Sequence, residues 1–181
     1  MNHSNNEKGA SMVEIIMILG ILGALSVSIA SLVNSMYDRY RVSRVCGQIE
    51  EFKKLINNRY IADGRYSDVS VATVISEGIA PKDMISGTKL YHSYNGAVTV
   101  KGSNDSYEIT FDDLPQKVCV ELGILNWTVD NSSDLVSMDI NGKIFKWPWT
   151  AGDANKLPAQ MTDVAAACLD GDENVVKWNF Q

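Results

Sequence analysis

The sequence predicts an α+β chain in which one long amino-terminal helix precedes a head of short strands and helices. Three observations predict it. Residues 15–37 are 23 consecutive positions without a formal charge. Beyond them Val42, Val45, Ile49, Phe52 and Ile56 step by three and four residues with Arg44, Glu50, Glu51, Lys53 and Lys54 between them, the one-sided stripe of a helix lying on a core. After Gly64 the pattern changes to short alternating runs separated by turn residues.

The chain has 181 residues and a mass of 19.9 kDa, room for one compact domain plus a long element. Its 16 Lys and Arg against 22 Asp and Glu leave a net charge of −6. That balance opposes a general grip on phosphate backbones, so no nucleic-acid partner is expected.

At ~1.5 Å per residue the uncharged run covers roughly 34 Å, more than the ~30 Å of a bilayer's hydrocarbon core, so residues 14–37 are expected to span a membrane. A cleaved secretory signal has a shorter apolar core closed by small residues, which disfavours that alternative. Glu14 stands at the edge of this run, where a carboxylate costs a few kcal/mol unless it meets a cation or the interface. The positive end of the helix dipole also favours an anion there. Gly20, Ala24 and Ser28 recur every fourth residue, and Gly23, Ser31 and Ser35 add small surfaces that let helices approach closely. The first proline is Pro81, so nothing interrupts the helix before the Asp63-Gly64 turn signal. One helix is therefore expected over residues 10–62, roughly 80 Å long, with the head occupying residues 63–181.

Within the head, residues 70–77 read as a short helix and residues 87–96 as a loop. Strands are expected at 97–100 and at 106–111, the second placing Tyr107, Ile109 and Phe111 on one face. Asp113-Leu114-Pro115 reads as a helix start with Asp113 as cap, opening a helix to about Leu122. Asn141-Gly142 between residues 135–140 and 143–147 is a two-residue hairpin signal. Thr162 is expected to cap a helix running through Cys168, and residues 175–180 alternate as a last strand. Cys46 lies beside the helical stripe and reads as a small buried hydrophobe. Cys119 and Cys168 both fall in the head, and in an oxidising compartment the three cysteines allow three possible single bridges.

Catalysis finds little support, and neither a cofactor nor a metal is expected. The two histidines, His3 and His92, make no two-histidine metal site, and Cys-x-x-Cys spacing and a glycine-rich phosphate loop are both lacking. His92 reads as a loop histidine. The acidic stretch at 170–174 lacks the EF-hand order and reads as a solvated turn rather than a calcium site. Asn104, Asn126 and Asn131 match the glycosylation sequon. Trp127, Trp147, Trp149 and Trp178 read as head core or subunit contacts.

The stretch Lys8-Gly9-Ala10-Ser11-Met12-Val13-Glu14 and the apolar run after it resemble the type IV prepilin signature. The resemblance implies that a prepilin peptidase of the inner membrane cuts between Gly9 and Ala10, removing leader 1–9 and leaving 172 residues. It implies N-methylation of the new amine on Ala10. Glycine at the cut has no Cβ to obstruct the protease. It also implies that Glu14, the fifth mature residue, neutralises the amino terminus of a neighbouring subunit inside a filament. Ala10 stands where many pilins have Phe or Met, and Ser31 where many have Pro. Arg39, Arg41 and Arg44 would by the positive-inside rule prefer the cytoplasm; cleavage at Gly9 demands the opposite orientation, which is retained.

The carboxyl half resembles the type IVb major pilins of bundle-forming pili and conjugative thin pili. The segments that carry this are Tyr94-Asn95-Gly96-Ala97-Val98-Thr99-Val100, Tyr107-Glu108-Ile109-Thr110-Phe111 running into Leu114 and Cys119, and the stretch from Met161 to Cys168. The resemblance implies a pilin fold, with a mostly antiparallel sheet packed on the long helix and a Cys119–Cys168 disulfide. It implies a homopolymeric extracellular pilus, built by inner-membrane assembly machinery and supporting adhesion, aggregation or conjugative contact. The alternatives are a type II secretion pseudopilin or minor pilin and, from another class, a bitopic anchor carrying a periplasmic binding or enzymatic head.

Overall fold

The computed structural model describes residues 11–60, 62, 64–127 and 134–181, without the side chains of 27, 28, 30, 31, 34 and 35. Leader 1–9, Ala10, Asp63 and the sequon at Asn131 lie outside the described residues. The chain divides into two compact units, Met1–Tyr40 and Arg41–Gln181.

Helix α1 covers Met12–Tyr60. Within the second unit its stripe does what its spacing predicts: Val45, Phe52 and Ile56 are fully buried, and Val42, Ile49 and Tyr60 nearly so. Within the first unit no described side chain is buried. Among the described residues no helix is long and apolar enough to cross a membrane. The expected span 14–37 includes the six undescribed side chains, which break its described part into shorter runs.

The head is built on a seven-stranded sheet: β1 (Ile85–Ser86), β2 (Lys89–Tyr91), β3 (Ala97–Gly102), β4 (Tyr107–Leu114), β5 (Leu135–Ile140), β6 (Lys143–Lys146) and β7 (Asn174–Phe180). The strand order is β1-β2-β3-β4-β7-β5-β6 and every named pairing is antiparallel. Helix α2 (Val71–Ser76) precedes β1 in the chain, α3 (Gln116–Ile124) lies between β4 and β5, and α4 (Met161–Ala167) between β6 and β7.

Period-two alternation on the two central strands makes the core. Tyr107, Ile109 and Phe111 of β4 and Val176, Trp178 and Phe180 of β7 are all buried. Across the β4–β7 pair Tyr107 stacks on Phe180 at 5.2 Å and Phe111 meets Trp178 edge-on at 5.6 Å, the two arrangements that suit aromatic quadrupoles.

Local signals explain most element boundaries. The Ser70 hydroxyl accepts the Thr73 amide at 3.2 Å and so caps α2. Asn141 and Gly142 have φ of 51° and 89°, the positive pair that a two-residue hairpin joining β5 to β6 requires.

Three expectations are corrected. Residues 87–96 are not all loop, because β2 pairs with β3 and buries Leu90; three residues with one apolar side chain are too short to show alternation. Asp113 does not cap α3. It sits at φ 56° where the register of β4 on β7 shifts, and the strand continues to the buried Leu114, so α3 starts after Pro115 without a side-chain cap. Thr162 lies inside α4, which Gln160 precedes without a side-chain cap.

A Cβ on Gly102 would run into the Tyr66 carbonyl, whereas one on Gly20 would meet nothing within 4 Å. Gly102→Ala is therefore expected to destabilise the protein by about 1–3 kcal/mol, and Gly20→Ala to leave the head's denaturation midpoint unchanged; chemical denaturation followed by tryptophan fluorescence checks both.

Candidate functional site

The first unit contributes an apolar helix with one acid. The Ser11 carbonyl accepts the amides of Glu14 at 2.8 Å and Ile15 at 3.1 Å, which starts α1 and sets Glu14 in its first turn. There the carboxylate is exposed and faces the positive end of the helix. Met12, Val13, Ile16, Met17, Leu19, Leu32 and Met36 are each more than half exposed, and apolar side chains occupy every side of the helix. Among the described residues no contact explains Gly20 or Gly23, since a Cβ at either position would meet nothing within 4 Å. The Ser26 hydroxyl donates to the Leu22 carbonyl at 2.8 Å, which satisfies it without water. Of the small-residue row, Ser28, Ser31 and Ser35 lie outside the described side chains.

In the second unit the polar residues of α1 hold the head by specific bonds. Arg44 pairs with Asp83 at 2.8 Å, and Gln48 donates to the same carboxylate at 2.7 Å. Farther along, the Tyr107 hydroxyl donates to Asn57 Oδ1 at 2.6 Å while Asn57 Nδ2 donates to Asp134 at 2.8 Å. One amide thus ties the helix to β4 and to the residue leading into β5. Burial raises the Tyr107 phenol above its ordinary range, with Tyr66 and Asp134 adding to the effect, so it remains a donor at any physiological pH. Arg59 closes the sequence of contacts with Glu77 at 2.9 Å.

Cys46 is half-buried rather than buried, and free. Burial, then Glu50 and Glu121, push its thiol up to about 11, so it stays protonated and unreactive. Cys119 and Cys168 form a disulfide that joins α3 to the end of α4 across 49 residues. Beside it Asn174, fully buried, accepts the Leu169 amide at 2.6 Å and donates to the carbonyls of Leu114 and Leu169 at 3.0 Å. Asn141 donates to Asn174 Oδ1 and to the Ala167 carbonyl, each at 2.8 Å, and accepts the Val175 amide at 2.8 Å. Two asparagines therefore stitch the β5–β6 turn, the end of α4 and the start of β7 into one block. The stretch 170–174 serves this block through Asn174, and among the described residues no group of three metal-ligating side chains converges.

His92 is buried against Phe111, and Trp178 sits in the core with Trp127 edge-on at 5.6 Å. The roles of Asn57, Asn141, Asn174 and His92 have no signature in the sequence, because each depends on a partner from 20 to 77 residues away. Gly9 and Ala10 lie outside the described residues, and Glu14 belongs to a different unit from the disulfide.

This architecture is that of the type IVb pilins. The crystal structure of a type IVb pilin from Salmonella typhi is similar with a TM-score of 0.52 and 19% identity, over 75% of this chain and 99% of that one. That of TcpA, a type IV pilin from Vibrio cholerae El Tor, is similar with a TM-score of 0.52 and 13% identity, over 78% of this chain and 99% of that one. Residues 39–181 match the family model described as PilS N terminal, and the chain belongs to that family. It is also 21% identical over 126 residues to the toxin coregulated pilin of Vibrio cholerae, covering 64% of this chain and only 56% of that relative's length.

Cys119→Ser with Cys168→Ser is expected to lower stability by about 4 kcal/mol, the chain entropy regained when a loop of this length opens. Urea denaturation of the double variant against the oxidised protein measures it.

Proposed function

We propose that this chain is a structural subunit of a type IVb pilus, polymerised through the amino-terminal half of α1. One observation carries the reading: residues 12–40 form a helix with apolar residues on every side and none of its described side chains buried, yet it precedes a head with the pilin fold. So much exposed apolar surface has to be covered by lipid or by other helices. Gly20 and Gly23, which no described side chain approaches, suit close helix approach in an assembled core.

Before assembly the 23 uncharged residues hold the precursor in the inner membrane, with Lys8 and the leader on the cytoplasmic side. Prepilin peptidase cuts between Gly9 and Ala10 and methylates Ala10, and the assembly machinery extracts the subunit into an extracellular filament. The filament supports adhesion, aggregation or conjugative contact. Glu14 is the assembly residue. In an apolar core its carboxylate and the Ala10 amine of a neighbouring copy remove one another's desolvation penalty, which neither can escape alone.

Two outcomes test this. Purified filament protein is expected to weigh the sequence less Met1 to Gly9 plus one methyl group; an intact leader on extracellular material refutes the pilin reading in favour of a membrane anchor. Glu14→Ala is expected to be processed normally but to deplete surface filaments, because a buried amine left unpaired costs about 3–5 kcal/mol per subunit contact. Wild-type piliation in that variant removes the assembly role.

A further inference from the structure

The turn at residues 92–96 joins β2 to β3 and is held from three sides. Its own bonds run from the His92 amide to the Gly96 carbonyl at 3.1 Å and from the Asn95 amide to the His92 carbonyl at 2.8 Å. From α1, Arg41 donates through Nε and Nη2 to the Ser93 carbonyl at 3.0 and 2.8 Å and lies 3.8 Å above the Tyr94 ring. Gln48 Oε1 accepts the Ser93 amide at 3.2 Å. From β4 comes the grip on the imidazole. His92 Nε2 bonds the Asp112 carbonyl at 2.6 Å, and the ring stacks on Phe111 at 5.3 Å with 6° between planes.

The other ring nitrogen decides the matter. The Tyr94 amide lies 3.1 Å from His92 Nδ1, and an amide can only donate. Since Nε2 must donate to a carbonyl, Nδ1 is the acceptor, and the imidazole is fixed as its neutral Nε2–H tautomer. A second proton on Nδ1 would set one N–H against another. On the Gly96 side the ring is tightly packed, because a Cβ there would overlap His92 Nε2 and the Asp112 carbonyl.

We propose that this turn is an acid-released latch: protonation of His92 at Nδ1 expels the Tyr94 amide, opens residues 92–96 and frees Ser93 from Arg41 and Gln48 of α1. Only 2% of His92 is exposed, but it lines a groove of about 480 Å³ with Gln48, Asp83, Tyr91 and Ser93, through which solvent protons reach it. The charged groups around it nearly balance. Arg41 on α1 opposes a positive imidazole, Asp113 on β4 favours one, Asp83 across the groove is paired with Arg44, and the Asp112 carboxyl faces Lys177 of β7. Burial is the largest influence and lowers the His92 pKa from its usual 6.5. The sign follows: at pH 8 closed and open turns are both neutral, and below pH ~6.5 only the open turn takes the proton. Closure therefore weakens as pH falls from there towards the lowered value.

The test is amide hydrogen exchange of the full chain in detergent micelles between pH 8 and 5, corrected for intrinsic exchange. Tyr94 and Asn95 are expected to lose protection by up to about tenfold per pH unit below ~6.5, while the β4–β7 amides hold theirs. His92→Phe keeps the stacking on Phe111 without a titrating nitrogen and is expected to abolish this pH dependence. If that variant fails to fold, NMR titration of the wild-type imidazole decides instead: a pKa below 6.5 that coincides with movement of the Tyr94 amide signal supports the latch. Protection of Tyr94 that tracks β4–β7 across the range, or an imidazole titrating at its ordinary value while Tyr94 stays put, overturns it.

Discussion

Everything in the head depends on the docking of one helical stripe, the Val42-to-Ile56 edge of α1, onto the inward face of an antiparallel sheet. Burying a side chain such as Phe52 or Ile56 is worth about 1.5–3 kcal/mol each. Five of them on one face supply a large part of the core, and the sheet supplies the rest through β4 and β7. Apolar burial has no direction, so it does not by itself choose where along the sheet the helix rests. That choice belongs to the polar contacts: Arg44 and Gln48 on Asp83, Asn57 between Tyr107 and Asp134, Arg59 on Glu77. The Asn57 amide offers both an acceptor and a donor, and a slide by one helical turn would leave Tyr107 or Asp134 unmatched.

The two halves of α1 answer to different surroundings. In the second unit the helix carries apolar residues on one side and charge on the other, because it has a sheet beneath it and water above. In the first unit the apolar residues go all the way round, and Gly20 and Gly23 touch nothing among the described residues beyond their own helix. Under the pilus role proposed above, such a segment is equally suited to lipid tails and to copies of itself. In the proposed filament Glu14, the one carboxylate among residues 11–37, can supply the alignment apolar contact lacks.

The long helix, the alternating strands β4 and β7 and the Asn141-Gly142 hairpin were legible from periodicity and turn chemistry, since each signal lies within a few residues of the element it specifies. Asp113 and Thr162 misled for a shared reason. A helix-capping pattern is local, and at both places the ends were set instead by distant partners, Leu114 pairing with Asn174 in one case and Val164 packing against Gly123 in the other. The buried amides and the imidazole were invisible for the same cause. A residue such as Asn174 or His92 looks like loop until the fold brings its carbonyls and amides to it. The family likeness of residues 8–20 gave the assembly reading what the described residues alone do not, because Gly9 and Ala10 lie beyond them.

The order of the strands has a consequence for synthesis. β7 comes last of the seven strands in the chain, yet it occupies an interior place between β4 and β5. Until β7 has been made, the sheet lacks its keystone and leaves β4 and β5 with open edges, the state most prone to wrong pairing. The sheet is therefore completed only when β7 inserts between β4 and β5. Damage to β7 would strike the middle of the fold rather than its fringe.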